Sequence, residues 1–162
     1  MVTRAFIVVA LAGCTSALDQ PAPVTALDRE MFRCAVEPVL AARCAFPGCH
    51  GDARRPLAIY APGRMRYAIG WDRPTEPLTD AELGLNYDIA AGFATSSATG
   101  TPWLLAKPLA VEAGGYFHRG AELDAAGDVF ASTDDAGYRL LARWIAGETA
   151  ATECTPTFEV GP

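Results

Sequence analysis

The 162-residue sequence predicts an all-α fold, a small domain of about three main helices joined by long irregular loops. Two observations carry that prediction. Three segments pair an N-cap signal with apolar residues at helical spacing, and 15 Gly with 12 Pro break up most of what lies between them. With 51% of residues hydrophobic, the chain can close one core, and its length suits one domain plus appendages.

The first residues read as an address. "MVTRAFIVVALAGC" has one basic residue, Arg4, then a short apolar run and small residues before a cysteine. "LAGC" resembles the lipobox of bacterial lipoproteins, which implies cleavage after residue 13 and lipidation of Cys14. Thr15 follows in place of an Asp, which by the same resemblance points to the outer membrane or the periplasmic face. Each buried CH2 of an acyl chain contributes about 0.8 kcal/mol to anchoring. Residues 14–25 then form a Pro-containing tether, 26–155 the folded domain and 156–162 a C-terminal tail.

The first helix is expected over 26–43. Thr25 caps it with Asp28 in a capping-box relation, and Phe32, Ala35, Val36, Val39 and Leu40 make one apolar stripe. Pro38 should kink it near Val36. Residues 51–77 carry Gly or Pro every few positions and read as loop, with one short strand around "LAIY". In "LTDAELGLNYDIAAGF", Thr79 and Glu82 form a capping box ahead of a second helix whose apolar contacts are Leu83, Tyr87, Ile89 and Ala90. "WLLAK" suggests a short helical turn. In the last helix, "STDDAGYRLLARWIAGE", Ser132 and Asp135 supply the cap, Tyr138, Leu141, Trp144 and Ile145 share a face, and Gly147 fits C′. The three tryptophans, Trp71, Trp103 and Trp144, read as core.

Charge narrows the function. The chain carries a net charge of −6, with Lys107 its single lysine, so its surface repels phosphate backbones and nucleic acid is not an expected partner. There is no Ser–His–Asp order, nucleotide-binding glycine loop or supported carboxylate dyad, so the chain reads as a carrier more than a catalyst.

The chemistry concentrates in "CAFPGCH", residues 44–50. Covalent attachment of a c-type haem normally uses C-x-x-C-H, and here the spacing is C-x4-C-H. Two thiols must reach two vinyl groups on the porphyrin, and an imidazole immediately after the second thiol must reach the iron. The two additional residues can bulge outward through Pro47 and Gly48, the glycine accepting a positive φ. Iron takes a second axial ligand. The other histidine, His118, lies in the glycine-flanked loop "AGGYFHRG"; Met65 is the competing sixth ligand, and Met31 sits too near the hook on the first helix.

Five cysteines fit two schemes in an oxidising compartment. With Cys14 lipidated and Cys44 and Cys49 on haem, Cys34 and Cys154 remain for a disulfide worth about 4–5 kcal/mol in the chain-entropy model. Without haem, Cys44 and Cys49 pair instead, and the protein is a disulfide-bonded lipoprotein scaffold or binding module. Zinc at Cys44, Cys49, His50 and His118 is the weakest fit, because adjacent side chains converge poorly on one tetrahedral ion.

Two blocks resemble a known family. "MFRCAVEPVLAARCAFPGCHG" is similar to the opening of Planctomycete-type cytochrome c-like domains, which occur in exported lipoproteins. "WLLAKPLAVEAGGYFHRGAELDAAGDVFASTDDAGYRLLARWIAG" is similar to the downstream half of the same family. The resemblance implies a cytochrome c-like fold and one covalent haem c per chain. It implies Cys44 and Cys49 as thioether anchors, His50 as proximal ligand, His118 as distal ligand, and single-electron exchange with a redox partner protein.

Overall fold

The computed structural model describes residues 26–67, 75–95, 100–118 and 128–150; the predicted leader, the tether, Trp71 and Cys154 lie outside them. The described chain is helix-rich and forms no strand. None of its helices is long and apolar enough to cross a membrane.

The first helical segment is three pieces in series: α1 (Arg29–Met31), a π-turn (Phe32–Val36) and α2 (Glu37–Arg43). Asp28 is the cap, its carboxylate accepting from Met31 N at 2.5 Å, so the helix starts later than the sequence suggested, and Thr25 lies outside the described residues. The predicted disturbance at Pro38 takes the form of the π-turn. A proline ring collides with the carbonyl four residues back, and widening the preceding turn gives that carbonyl room. The added residue per turn also rotates the apolar stripe. Phe32, Val36 and Leu40 are fully buried as expected, but Ala35 and Val39 move partly outward while Glu37 turns inward.

Glu37 is only 5% exposed, its Oε1 lacks a partner among the described residues, and burial pushes its carboxyl up to about 7. A folded-state value above the usual 4.5 means that stability is fully present below pH 4.5 and is lost as pH rises through 7. Glu37→Gln should therefore flatten this slope and stabilise the protein at pH 8 by about 1–3 kcal/mol. Urea midpoints at pH 5 and pH 8 measure it; an unchanged slope in the variant contradicts the assignment.

The next helix, α3 (Asp80–Thr95), begins at the predicted capping box: Thr79 N donates to Glu82 Oε2 at 2.9 Å, and Glu82 N to Thr79 Oγ1 at 3.3 Å. Tyr87 and Ala90 are buried, and Leu83 and Ile89 are half-buried. The segment read as a strand, "LAIY", is extended and buried but has no strand partner. Asn86 of α3 takes that place: Tyr60 N donates to its Oδ1 at 2.9 Å, and its Nδ2 donates to Tyr60 O at 2.8 Å. One side-chain amide thus replaces the peptide group of a neighbouring strand.

"WLLAK" forms the short α4 (Trp103–Ala106), and a 3-10 turn (Val111–Ala113) follows. An isolated parallel bridge joins Leu109 to Phe130 and leads into α5 (Ala136–Ile145). Asp135 alone caps α5, accepting from Gly137 N at 2.8 Å, while Ser132 Oγ accepts from Asp134 N. Gly147 ends the helix at φ +88°. The core gathers where the π-turn, α3 and α5 meet. Phe32 lies 5.3 Å from Trp144 and 5.4 Å from Tyr87. Trp144 Nε1 and the Tyr87 hydroxyl both donate to backbone carbonyls just before α1, Asp28 O and Leu27 O. These two bonds fix the start of the helix that ends in the hook.

Candidate functional site

Helix α2 delivers the chain to the hook. Cys44 N closes the last turn onto Leu40 O at 2.8 Å. The loop then doubles back, with Cys49 N donating to Phe46 O at 2.8 Å and His50 N to Cys44 O at 3.0 Å. Phe46, Pro47 and Gly48 are exposed while Cys44 and Ala45 are buried, so the additional loop length does bulge outward. Gly48 does not use a positive φ, contrary to expectation. The demanding glycine is Gly51, where a Cβ would sit 2.2 Å from Ala45 O. Its absent side chain lets the backbone leaving the hook pass close against the backbone entering it.

His50 is oriented by one bond, from Nδ1 to Leu57 O at 2.8 Å. A carbonyl only accepts, so Nδ1 carries the proton and Nε2 keeps its lone pair for a ligand. Burial lowers the pKa of His50, partly offset by this bond, with the charges of His118 and Arg55 lowering it further. Burial also lowers that of His118, helped by Lys107 and opposed by Asp128. Both imidazoles are therefore neutral near pH 7.

The two histidines, 68 positions apart in sequence, meet in space. Their ring centroids are 5.7 Å apart and their planes lie within 21°. The glycines before His118 make this possible, though through the chain itself rather than through a ligand. Gly114 adopts φ +94°, and a Cβ on Gly115 would lie 1.8 Å from Leu109 O. Gly115 N and Tyr116 N then donate to Ala110 O and Ala106 O, so the loop is pinned against the end of α4.

Cys44, Cys49, His50 and His118 all line one cavity of about 1220 Å3. Its walls are otherwise mainly apolar, with Leu40, Leu57, Phe93, Trp103 and Leu104 among them. Trp103 is thus a wall residue rather than core; Trp144 is fully buried core as expected. Met65 and Met31 are not among the lining residues; Met31 is packed in the core instead. Cys44 and Cys49 are free thiols. Burial, reinforced by the neighbouring Cys49, pushes the Cys44 thiol up to about 12. Cys34 is disulfide-bonded, and its expected partner Cys154 lies outside the described residues.

The donor set fits a haem. Among the described residues no three His, Cys, Asp or Glu side chains converge as a metal group. Two thiols beside one imidazole, with a second imidazole facing it, are the side chains that would hold a covalently attached haem. Sequence reasoning reached these four residues but missed the Leu57 carbonyl, Gly51 and the crowding at Gly115. The glycines were visible as letters; the backbone they pass was not. Compared with protein-family models, curated proteins and solved structures, the chain gives no match.

Proposed function

We propose that this chain is an exported, lipid-anchored carrier of single electrons that binds one covalent haem c, in the manner of the Planctomycete-type cytochrome c-like domains it resembles. Cys44 and Cys49 would hold the porphyrin by thioether bonds, with His50 as the proximal ligand and His118 as the distal one. The observation that carries the reading is the meeting of the two histidines, 5.7 Å apart, in a cavity that both hook thiols also line. When bound, the haem supplies one-electron exchange between ferric and ferrous iron.

The chain's own residues supply the rest. Leu57 O holds the His50 tautomer, the apolar walls limit water at the site, and before attachment burial keeps Cys44 a thiol instead of a thiolate ready to oxidise. Two imidazole ligands set a lower potential than a histidine–methionine pair. Cys14 would tether the carrier at the outer membrane or periplasmic face, where a redox partner protein meets it, and Cys154 would close the disulfide of Cys34.

Export alongside haem-maturation machinery tests the reading. The expected product has a Soret band and an intact mass of polypeptide plus one covalent haem, and Cys49→Ser loses most of that attachment. A colourless protein with Cys44 bonded to Cys49 leaves the haem-free scaffold as the answer.

A further inference from the structure

The hook begins where α2 ends, and that end is irregular. Cys44 N and Ala45 N both donate to Leu40 O, at 2.8 and 3.1 Å, so the Ala45 amide goes to Leu40 in place of Ala41, the acceptor four residues back. The last carbonyls of a helix lack intrahelical donors, and a cation is favoured beside them. Arg64 supplies both from outside the helix, its Nη1 donating to Ala41 O.

The same guanidinium lies over the ring of Phe46, 3.8 Å from its centroid. Phe46 stands in the bulge of the hook, 47% exposed and outside the hydrophobic core, so the core does not fix its ring. Its carbonyl nevertheless governs the returning limb: Cys49 N and Gly51 N donate to Phe46 O at 2.8 and 2.9 Å. One side chain thus grips both limbs, the helix end that carries Cys44 and the residue whose carbonyl holds Cys49. Arg64 itself projects from a fixed support. Gly63 turns the chain at φ +69°, and Arg64 N donates to Ala61 O at 3.1 Å. Residues 58–61 are buried, Tyr60 is tied to Asn86 of α3, and Ile59 N donates to His50 O at 2.8 Å.

We infer that Arg64 is a positioning residue for the hook: it holds Phe46 against the end of α2 and so sets how far apart the Cys44 and Cys49 thiols stand. A C-x-x-C loop is kept tight by its own length, whereas four intervening residues need a fastening from outside. A guanidinium suits the task, because its flat face stacks on a ring while its edge donates to a carbonyl. That the spacing serves two vinyl groups rests on the haem reading. There each thiol S–H would add across a vinyl C=C, forming an S–C bond at one carbon and placing the hydrogen on the other, with no net oxidation or reduction. The shape of the hook rests on the contacts of Arg64 alone.

Amide hydrogen exchange on the full chain, without haem and with its hook thiols free, tests the fastening. In Arg64→Gln and in Phe46→Leu, the Cys49 and Gly51 amides should exchange about tenfold faster, with the amides inside α3 unchanged. Phe46→Tyr, which keeps a ring under the guanidinium, should match the wild type. In export alongside haem-maturation machinery, Arg64→Gln should raise at least about threefold the share of haem-bearing chains that keep one alkylatable hook thiol. Unchanged exchange at Cys49 and Gly51 in Phe46→Leu overturns the assignment, and so does an unchanged thiol share in haem-bearing Arg64→Gln. Faster exchange spread evenly through α3 also overturns it, by showing a general loss of stability. Local loosening in a chain that acquires no haem even as wild type keeps Arg64 as the fastening and removes the haem reading alone.

Discussion

Glu82→Gln is expected to cost about 3–5 kcal/mol at pH 7, because it leaves a buried guanidinium without its counter-charge. Domains are held by only about 5–15 kcal/mol in total, so the variant should be close to unfolding. The side chains of Arg66 and Glu82 are 6% and 1% exposed. Arg66 Nε and Nη2 each reach a Glu82 oxygen at 2.8 Å, and Tyr67 N and Thr79 N donate to the same carboxylate at 2.9 Å. One carboxylate therefore closes the cap of α3 and ties it to the loop that leaves the hook. Burial raises the pKa of this carboxyl, but the Arg66, Thr79 and Tyr67 donors overcome that and hold it at about 2. A folded value depressed below 4.5 gives stability that is present above pH 4.5 and lost as pH falls towards 2. The gap between wild type and variant in urea midpoint should therefore shrink over that window. Arg66→Met in the same chain as Glu82→Gln should recover part of the loss, since the lone charge is gone. A single-variant cost below about 1 kcal/mol would mean water reaches Arg66.

The capping box at Thr79 and Glu82 was legible from four letters; the second partner of Glu82 was not. Capping is local, so spacing reveals it. Arg66 lies sixteen positions earlier in a segment with no period, and nothing in that segment marks it as facing α3. The same division runs through the fold. The apolar period located each main helix and the buried face of α5, yet Ala35 and Val39 of the expected stripe are only half-buried and nothing in it pointed to a buried Glu37, because a π-turn changes the phase of the helix midway. Pro38 announced a disturbance, but proline permits either a kink or a widened turn, and the packing of Phe32 between Tyr87 and Trp144 suits the latter. "LAIY" has strand composition because it is buried and extended; the partner of its Tyr60 peptide group is a side chain 26 positions away, which composition cannot encode.

The site was more legible than the loops that build it, for a chemical reason. Cysteine and histidine are scarce here, five and two in 162 residues, so their few possible groupings can be weighed one by one.

His118→Ala should convert the haem-loaded protein from low-spin to high-spin, with complete loss of the low-spin absorption features. On the haem reading, His50 and His118 would supply two strong-field nitrogen ligands and leave no open position on the iron. Truncating His118 removes one of them, and no other imidazole exists in the chain to replace it. Met65, the rival, does not line the cavity, so Met65→Leu should leave the spectrum as it is. Added imidazole should return the His118→Ala protein to low spin by entering the space the ring vacated, an effect that mere loosening of the loop would not produce. Gly115→Ala offers an independent approach. Its Cβ would collide with Leu109 O, forcing the loop off the end of α4 and carrying an intact His118 with it. That variant should show a mixture of low-spin and high-spin forms whose high-spin share grows on warming. An unchanged low-spin spectrum in His118→Ala would remove His118 from the iron whatever the other variants do.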